Sequence, residues 1–399
     1  MRMIFAILLL LSTAPATADP LLAFITSTSG TGDLHSWQPD AGIHAGLAAA
    51  DAICQVRAAA ADLPQPEQFV AWMSDDVNDA YCRVLGLTGK APLCGQAQAP
   101  AAHAGPWWRT DGQAFAGDLN DFSYGRIFRA LNVDEFGTTH GAVHPFTATD
   151  SQGTKAQTYA TCLNWTDASA VGNALGGTLS GTTRLWTDNG GNTCKTVAPI
   201  YCLQKGQGTA IVDPSPHLGR LGFITDEAFN GNLGSSPGAA GKTGVAAADA
   251  LCRFAAGAQH MYRSFTYRAW ISDGSTSAAS RFVNEGPWYR IDGVPIANTL
   301  AELSTHALQA PLNTAEIRNE YFAGERVWTG VLGDGSPASA HCNQWTSASG
   351  SLGETGIANH TDVSWLASQA VSCSTSGHLY CLADNDTIFA GPFDPVYGF

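Results

Sequence analysis

A chain that repeats its own landmarks in order must fold as two versions of one scaffold, and this chain does so over most of its 399 residues. Gly46-Leu-Ala-Ala-Ala-Asp-Ala-Ile-Cys54 returns as Gly244-Val-Ala-Ala-Ala-Asp-Ala-Leu-Cys252, and Gly105-Pro-Trp-Trp-Arg-Thr-Asp-Gly112 returns as Gly286-Pro-Trp-Tyr-Arg-Ile-Asp-Gly293. The spacings keep register: Cys54 to Trp72 and Cys252 to Trp270 both span 18 positions, and Pro106 to Asn132 and Pro287 to Asn313 both span 26. Asn132 to Cys162 is 30 against 29 for Asn313 to Cys342, and the large departure is the interval from Trp72 to Pro106, at 34 positions against 17 for Trp270 to Pro287. The added stretch, read as an inserted loop over 75–104, holds the unmatched Cys82 and Cys94, which suggests a bridge of its own.

The N-terminus carries Arg2, an apolar run from Ile4 to Leu11 and the small-residue site Ala16-Thr17-Ala18, the pattern of a secretory signal over 1–18 with a mature chain starting at Asp19. The run is shorter than the roughly 20 residues that span a bilayer, and no later segment is long and apolar enough. Ten cysteines in an exported chain point to disulfides. The surplus of 34 acidic over 20 basic residues, with no cationic run, argues against nucleic acid or a sulfated polysaccharide as partner.

Each unit opens on a β-branched and aromatic run, Phe24-Ile-Thr26 or Phe223-Ile-Thr225, suited to a strand. An Ala-rich helix follows in which Leu47, Ala50, Cys54, Ala58 and Ala61 recur at three and four positions, placing the cysteine on the buried stripe. A second helix is expected near Thr299 to Leu308, and each unit closes on a strand, Ile200-Tyr-Cys-Leu203 or Leu379-Tyr-Cys-Leu382. These landmarks set a first domain at 19–204, a Gly/Pro-rich linker at 205–220, a second domain at 221–383 and an acidic aromatic tail at 384–399.

The opening strand, the cysteine-bearing helix, Ala71-Trp-Met-Ser74 or Ala269-Trp-Ile-Ser272, Cys162-Leu-Asn-Trp165 or Cys342-Asn-Gln-Trp345, and the closing Tyr-Cys strand keep one order in both units. Together they resemble the endostatin-like branch of the C-type-lectin-like fold, and especially secreted bacterial domains of that type. The resemblance implies an α+β fold class: two tandem C-type-lectin-like domains, each with two helices and short antiparallel strands. It further implies bridges Cys54–Cys202, Cys162–Cys194, Cys252–Cys381 and Cys342–Cys373, with Cys82–Cys94 completing the set. The chain-entropy relation assigns about 4 to 5 kcal/mol to the long bridges and roughly 3 to 4 to the shorter ones. The calcium loops by which sugar-binding C-type lectins resemble one another, Glu-Pro-Asn or Gln-Pro-Asp and Trp-Asn-Asp, do not occur, and Ala315 stands against Asp134 and Ala367 against Asp188. Endostatin's heparin-binding basic face has no counterpart, so neither metal nor cofactor is implied.

Isolated motifs with chemical associations lack their context. Gly234-Ser-Ser236-Pro-Gly238 has the spacing of a hydrolase nucleophile elbow but follows a polar Asn-Gly-Asn-Leu stretch. Gly241-Lys-Thr243 invites a phosphate-loop reading, yet Ser236 stands where the loop demands glycine. His140 and His144 have helical zinc spacing, but Gly137, Gly141 and Pro145 oppose a helix there. None of the eleven histidines pairs with another when the units are aligned. Shared residues include Asp51/Asp249, Arg109/Arg290, Asp111/Asp292, Glu135/Glu316, Trp165/Trp345 and Trp186/Trp365. The expected function is therefore non-catalytic recognition or adhesion outside the cytoplasm, with a glycan or protein ligand. Glu135, Glu316, Trp165, Trp345 and Asp188 are the candidate binding residues. A structural surface component using two modules for bivalency and an enzyme on the same scaffold, which would need a reactive cysteine pair, are the alternatives.

Overall fold

The computed structural model describes residues 20–101, 104–123, 127–141, 143–208, 220–261, 263–291, 293–305, 308–316, 322 and 324–384. The expected signal segment, most of the linker, Asp292 and nearly all of the tail lie outside these residues. The strands in chain order are β1 (Leu21–Ile25), β2 (Phe69–Ala71), β3 (Trp107–Arg109), β4 (Ala114–Ala116), β5 (Asn173–Leu175), β6 (Gly191–Thr193) and β7 (Tyr201–Gln204) in the first repeat. In the second they are β8 (Arg220–Ile224), β9 (Tyr267–Ala269), β10 (Trp288–Arg290), β11 (Pro295–Ala297), β12 (Arg326–Trp328), β13 (Leu352–Ile357), β14 (Gln369–Ser372) and β15 (Tyr380–Ala383).

The two repeats build the same five-stranded sheet, β2-β7-β1-β3-β4 and β9-β15-β8-β10-β11. The fold class is α+β, but the expected antiparallel strands require correction. β1 runs parallel to β3 and β8 parallel to β10, so each sheet is mixed. The long connection between β1 and β3, which contains the Gly46–Ala60 helix, is what permits a parallel pair.

Alternation along the strands separates two cores, one on each side of the sheet. Phe24, Phe69, Ala71 and Cys202 face the helix Gly46–Ala60, whose Ala50, Ile53, Cys54 and Ala58 are buried. Ala23, Ile25, Val70, Trp72, Tyr201 and Leu203 face the opposite core with Trp107 and Trp186. Phe223, Tyr267, Ala269 and Cys381 against Ile224, Trp270, Tyr380 and Leu382 repeat the division in the second sheet. Bridges Cys54–Cys202 and Cys252–Cys381 pin the long helices to β7 and β15, while Cys162–Cys194 and Cys342–Cys373 close the late loops. Cys82–Cys94 is the fifth bridge, and no free cysteine remains among the described residues.

Left-handed turns apart, the first repeat has three α-helices among the described residues instead of the expected two, and the second has two. Ala80–Val84 and Leu119–Ser123 accompany the long helix in the first repeat, and the helix expected near Thr299 to Leu308 is described as Leu300–Ser304. Thr299 caps it by accepting from the Glu302 amide. Two boundaries also shift. β8 already contains Arg220, and Asp384, assigned to the tail by sequence, packs into the second repeat by accepting from Arg268, Val283 and Asn284.

The insertion is smaller than 75–104. Arg83 donates to the carbonyls of Ala71 and Met73 and pairs with Asp51, and Arg281 makes the same bonds to Ala269, Ile271 and Asp249. Each arginine lies nine positions past its serine, Ser74 or Ser272, so the repeats stay in register through Arg83. Only the chain after Arg83 is extra, and Cys82–Cys94 anchors it to the last helix that the repeats share in position.

Cys162–Trp165 and Cys342–Trp345 form single left-handed helical turns, with φ of 47, 51, 54 and 67° in one and 48, 51, 55 and 63° in the other. Neither turn contains glycine. At roughly 1–2 kcal/mol per left-handed residue, such turns persist only where their surroundings determine them. The cysteine is bridged, the tryptophan is fully buried, and its indole N–H donates to the carbonyl of Ser74 at 2.9 Å or Ser272 at 2.6 Å. Gly46 and Gly244 complete the fit. Both have φ near +60°, and a Cβ on either would stand 3.0 Å from the carbonyl oxygen of Asn164 or Gln344.

Candidate functional site

The residues selected from sequence are not gathered into one site. Trp165 and Trp345 are core residues, as their burial shows. Glu135 is 2% exposed and accepts from the Ser27 amide and hydroxyl and from Arg57, so it straps a loop to the long helix. Glu316 accepts from the Asp226 amide in the equivalent place. Asp188 pairs with Arg184 at 3.6 Å, and burial, together with Asp150, raises its carboxyl pKa against the pull of Arg184.

The other motifs resolve similarly. Pro237–Ala239 and Leu233–Ser235 are short 3-10 turns around Ser236, with no strand entering them. Lys242 lines a groove of about 540 Å³ beside the Gly244–Ala258 helix, where Asp249 and Arg253 are already engaged by Arg281 and the Tyr267 carbonyl. His140 bonds Asp134 at 2.8 Å and His144 the Gly177 carbonyl at 3.1 Å. Among the described residues no group of three or more His, Cys, Asp or Glu side chains is placed to hold a metal.

The cleft of interest lies where the repeats meet. Counting back from Trp186 and Trp365, Thr182 corresponds to Thr361; Asn132 corresponds to Asn313 by the landmark register. Asn313 donates to the Thr182 hydroxyl at 3.4 Å, and Asn359 donates to the Thr182 carbonyl at 3.3 Å. Ser180 and His360 approach to 3.4 Å between them. The reciprocal residues, Asn132 and Thr361, both line a cleft of about 450 Å³ and share no hydrogen bond among the described residues. The repeats thus meet through one surface used twice, closed at one corner and open at the other.

Side chains at the open corner are held from behind. The Arg109 guanidinium donates to the Ala130 carbonyl at 2.8 Å and the Asn132 side-chain oxygen at 3.0 Å, and it pairs with Asp111. Burial opposes ionisation of Asp111, but Arg109 outweighs it and keeps the carboxyl below its ordinary range. Asn132 therefore turns its amide nitrogen away from Arg109, and that nitrogen has no hydrogen bond among the described residues. His140 is oriented by Asp134, whose carboxyl burial would raise but whose bonds from His140, Thr138 and Phe136 keep low.

Across the cleft, the Gln309 amide nitrogen is buried without a hydrogen-bond partner among the described residues. Asp362 accepts from the Ser364 amide at 2.9 Å and lies 3.3 Å from His360. Burial pushes its pKa up, yet the bonds from His360 and Ser364 prevail and set it at about 2. Asn132, Thr361 and an Asp362 carboxylate paired with His360 therefore border one space.

Sequence comparison did not select this set because the two corners differ. His140 and Phe322 occupy one structural position, since the His140 amide bonds the Asn132 carbonyl and the Phe322 amide bonds the Asn313 carbonyl, both at 2.8 Å. Gln309 likewise corresponds to Phe128, as their amides bond the equivalent Ile296 and Phe115 carbonyls. Polar replacement of an aromatic at both positions was the available signal. No protein-family model matches the chain, and no curated protein does.

Proposed function

We propose that this is an exported, non-catalytic recognition protein made of two C-type-lectin-like, endostatin-like domains, with its ligand, a glycan or a protein segment, seated between the repeats. The observation that carries the reading is the open corner: a cleft of about 450 Å³ with prepositioned polar groups from both units. That volume falls in the ordinary range of small-ligand sites, roughly 300–1,000 Å³. The doubled motif order and the five bridges, which pair as the resemblance implies, support the domain assignment. The five disulfides support export. A cleft built from both repeats, with its counterpart corner closed by Asn313 and Asn359 on Thr182, favours one site per chain over two equivalent sites and bivalency.

The test is a broad glycan and surface-protein array probed with the mature chain and with Thr361→Trp, which places an indole in the cleft. Binding by the parent that the variant loses by tenfold or more is the expected result. Undiminished binding by Thr361→Trp would remove the cleft from the account.

A further inference from the structure

We propose that the acidic aromatic tail, residues 385–399, seats in the groove of about 540 Å³ along the Gly244–Ala258 helix of its own chain, with Phe254 as its apolar contact and Lys242 and Arg253 as its charge partners. The groove shares no lining residue with the cleft between the repeats.

Ala246, Ala250 and Phe254 line the groove at four-residue intervals, so they form one stripe of the helix, and Phe254 is 60% exposed. An exposed ring on such a stripe leaves apolar area in water for a partner to cover. Lys242 is exposed, with no hydrogen bond or ion pair among the described residues. Arg253 spends its Nε–H on the Tyr267 carbonyl at 3.2 Å, and its terminal nitrogens have no bond among the described residues. Asp249, the acidic residue on the lining, is taken by Arg281 at 2.6 Å. The groove thus offers two uncompensated cations in a chain of 34 acidic and 20 basic residues.

The tail starts beside this surface. Ala383 of β15 lies opposite Tyr267 of β9, and the Asp384 amide donates to the Thr266 carbonyl at 3.2 Å. Arg253 therefore bonds the residue directly across from the last strand position before the tail. Residues 385–399 span up to about 50 Å when extended, against about 22 Å for the helix, so they can follow the whole groove. They carry Asp386 and Asp394, Phe389, Phe393, Tyr397 and Phe399, and no cation, which complements two cations and an exposed ring. Tethering holds the tail at an effective concentration in the millimolar range, so a weak contact suffices.

The first repeat, which continues into the linker, supports the pairing by contrast. His44, Gln55 and Val56 stand in register with Lys242, Arg253 and Phe254, and Glu67 stands in register with Phe265, which is 70% exposed beside Thr266. Gln55 still donates to the carbonyl of Phe69, the counterpart of Tyr267, at 3.2 Å. The position keeps its bond to the edge strand in both repeats and carries a charge only in the repeat that bears the tail.

The experiment is timed chymotrypsin digestion of the mature chain, with loss of C-terminal fragments read by intact mass and a synthetic peptide of residues 385–399 as the reference. Cleavage after Phe389 is expected to be slower in the chain than in the peptide by about tenfold or more, with no dependence on protein concentration. Lys242→His/Arg253→Gln/Phe254→Val installs the residues around which the first repeat already folds, and it is expected to bring the rate to within about threefold of the peptide. Equal rates for the parent chain and the peptide would overturn docking. Protection that survives the triple substitution would overturn the groove as its seat. Protection that falls on dilution would give the groove to the tail of a second copy and overturn the seat within one chain.

Discussion

The two left-handed turns show how single residues carry this scaffold. Leu163 sits at φ 51° with its side chain 73% exposed, so it bears the steric penalty of that conformation with little burial in return. Leu163→Gly is expected to raise stability by about 0.5–1 kcal/mol, because relief of the left-handed strain exceeds the added chain entropy of glycine. Urea denaturation monitored by tryptophan fluorescence measures it, and destabilisation would show that the turn is not strained. The same scale explains what sequence could and could not say. Trp165 and Trp345 recur beside a cysteine because each must be buried with its N–H satisfied, and recurrence alone cannot separate that role from ligand contact. Gly46 and Gly244 are legible as repeated in the duplication, but the reason, a carbonyl 3.0 Å from a would-be Cβ, depends on Asn164 and Gln344, each at least 100 positions away.

At the scale of elements, the long helices, the opening strands and the closing strands follow from local periodicity, since each buries one stripe or one alternating face. Strand direction does not. The parallel β1–β3 pair joins Leu21 to Trp107, a pairing set by the intervening connection and invisible to any local pattern. The insertion boundary was misplaced for a similar reason: Arg83 and Arg281 are equivalent through what they bond, not through the residues around them. Arg281→Met is expected to cost about 2–4 kcal/mol, because it removes the nearer of the two arginines beside buried Asp249, leaving Arg268 at 3.9 Å, and unpairs the carbonyls of Ala269 and Ile271. Chemical denaturation of the variant reads this directly, and a loss below about 1 kcal/mol would contradict the strut assigned to the pair. The bridges also rank. Replacing both cysteines of Cys54–Cys202, which closes a separation of 148 residues, is expected to destabilise by about 5 kcal/mol, against about 3 for Cys82–Cys94 with its separation of 12. Parallel thermal melts of the two double-serine variants order them, and the reverse ranking would refute the loop-closure account.

For the whole molecule, duplication produced a scaffold whose junction is symmetric in position but asymmetric in chemistry. The aligned histidines never match, and at the junction His140 lines the open corner while its counterpart in register, Phe322, packs on His378. Acid should act at this junction. The folded pKa of Asp362, about 2, lies below the roughly 3.9 of an unfolded aspartate, so its stabilising contribution is intact above about pH 4 and is lost as pH falls toward 2. The stability difference between the parent and Asp362→Asn is expected to shrink across that interval, as followed by denaturation at stepped pH; a constant difference would separate the carboxylate from the junction's stability.

The most direct measurement of the central claim is a two-dimensional amide NMR titration of the isotopically labelled mature chain with a ligand identified by the array. The account predicts that the largest shifts fall on the side-chain amide of Asn132 and on the backbone of Thr361 and Asp362. Shifts concentrated instead at the exposed turns around Leu163 or Asn343, with the cleft unmoved, would contradict it.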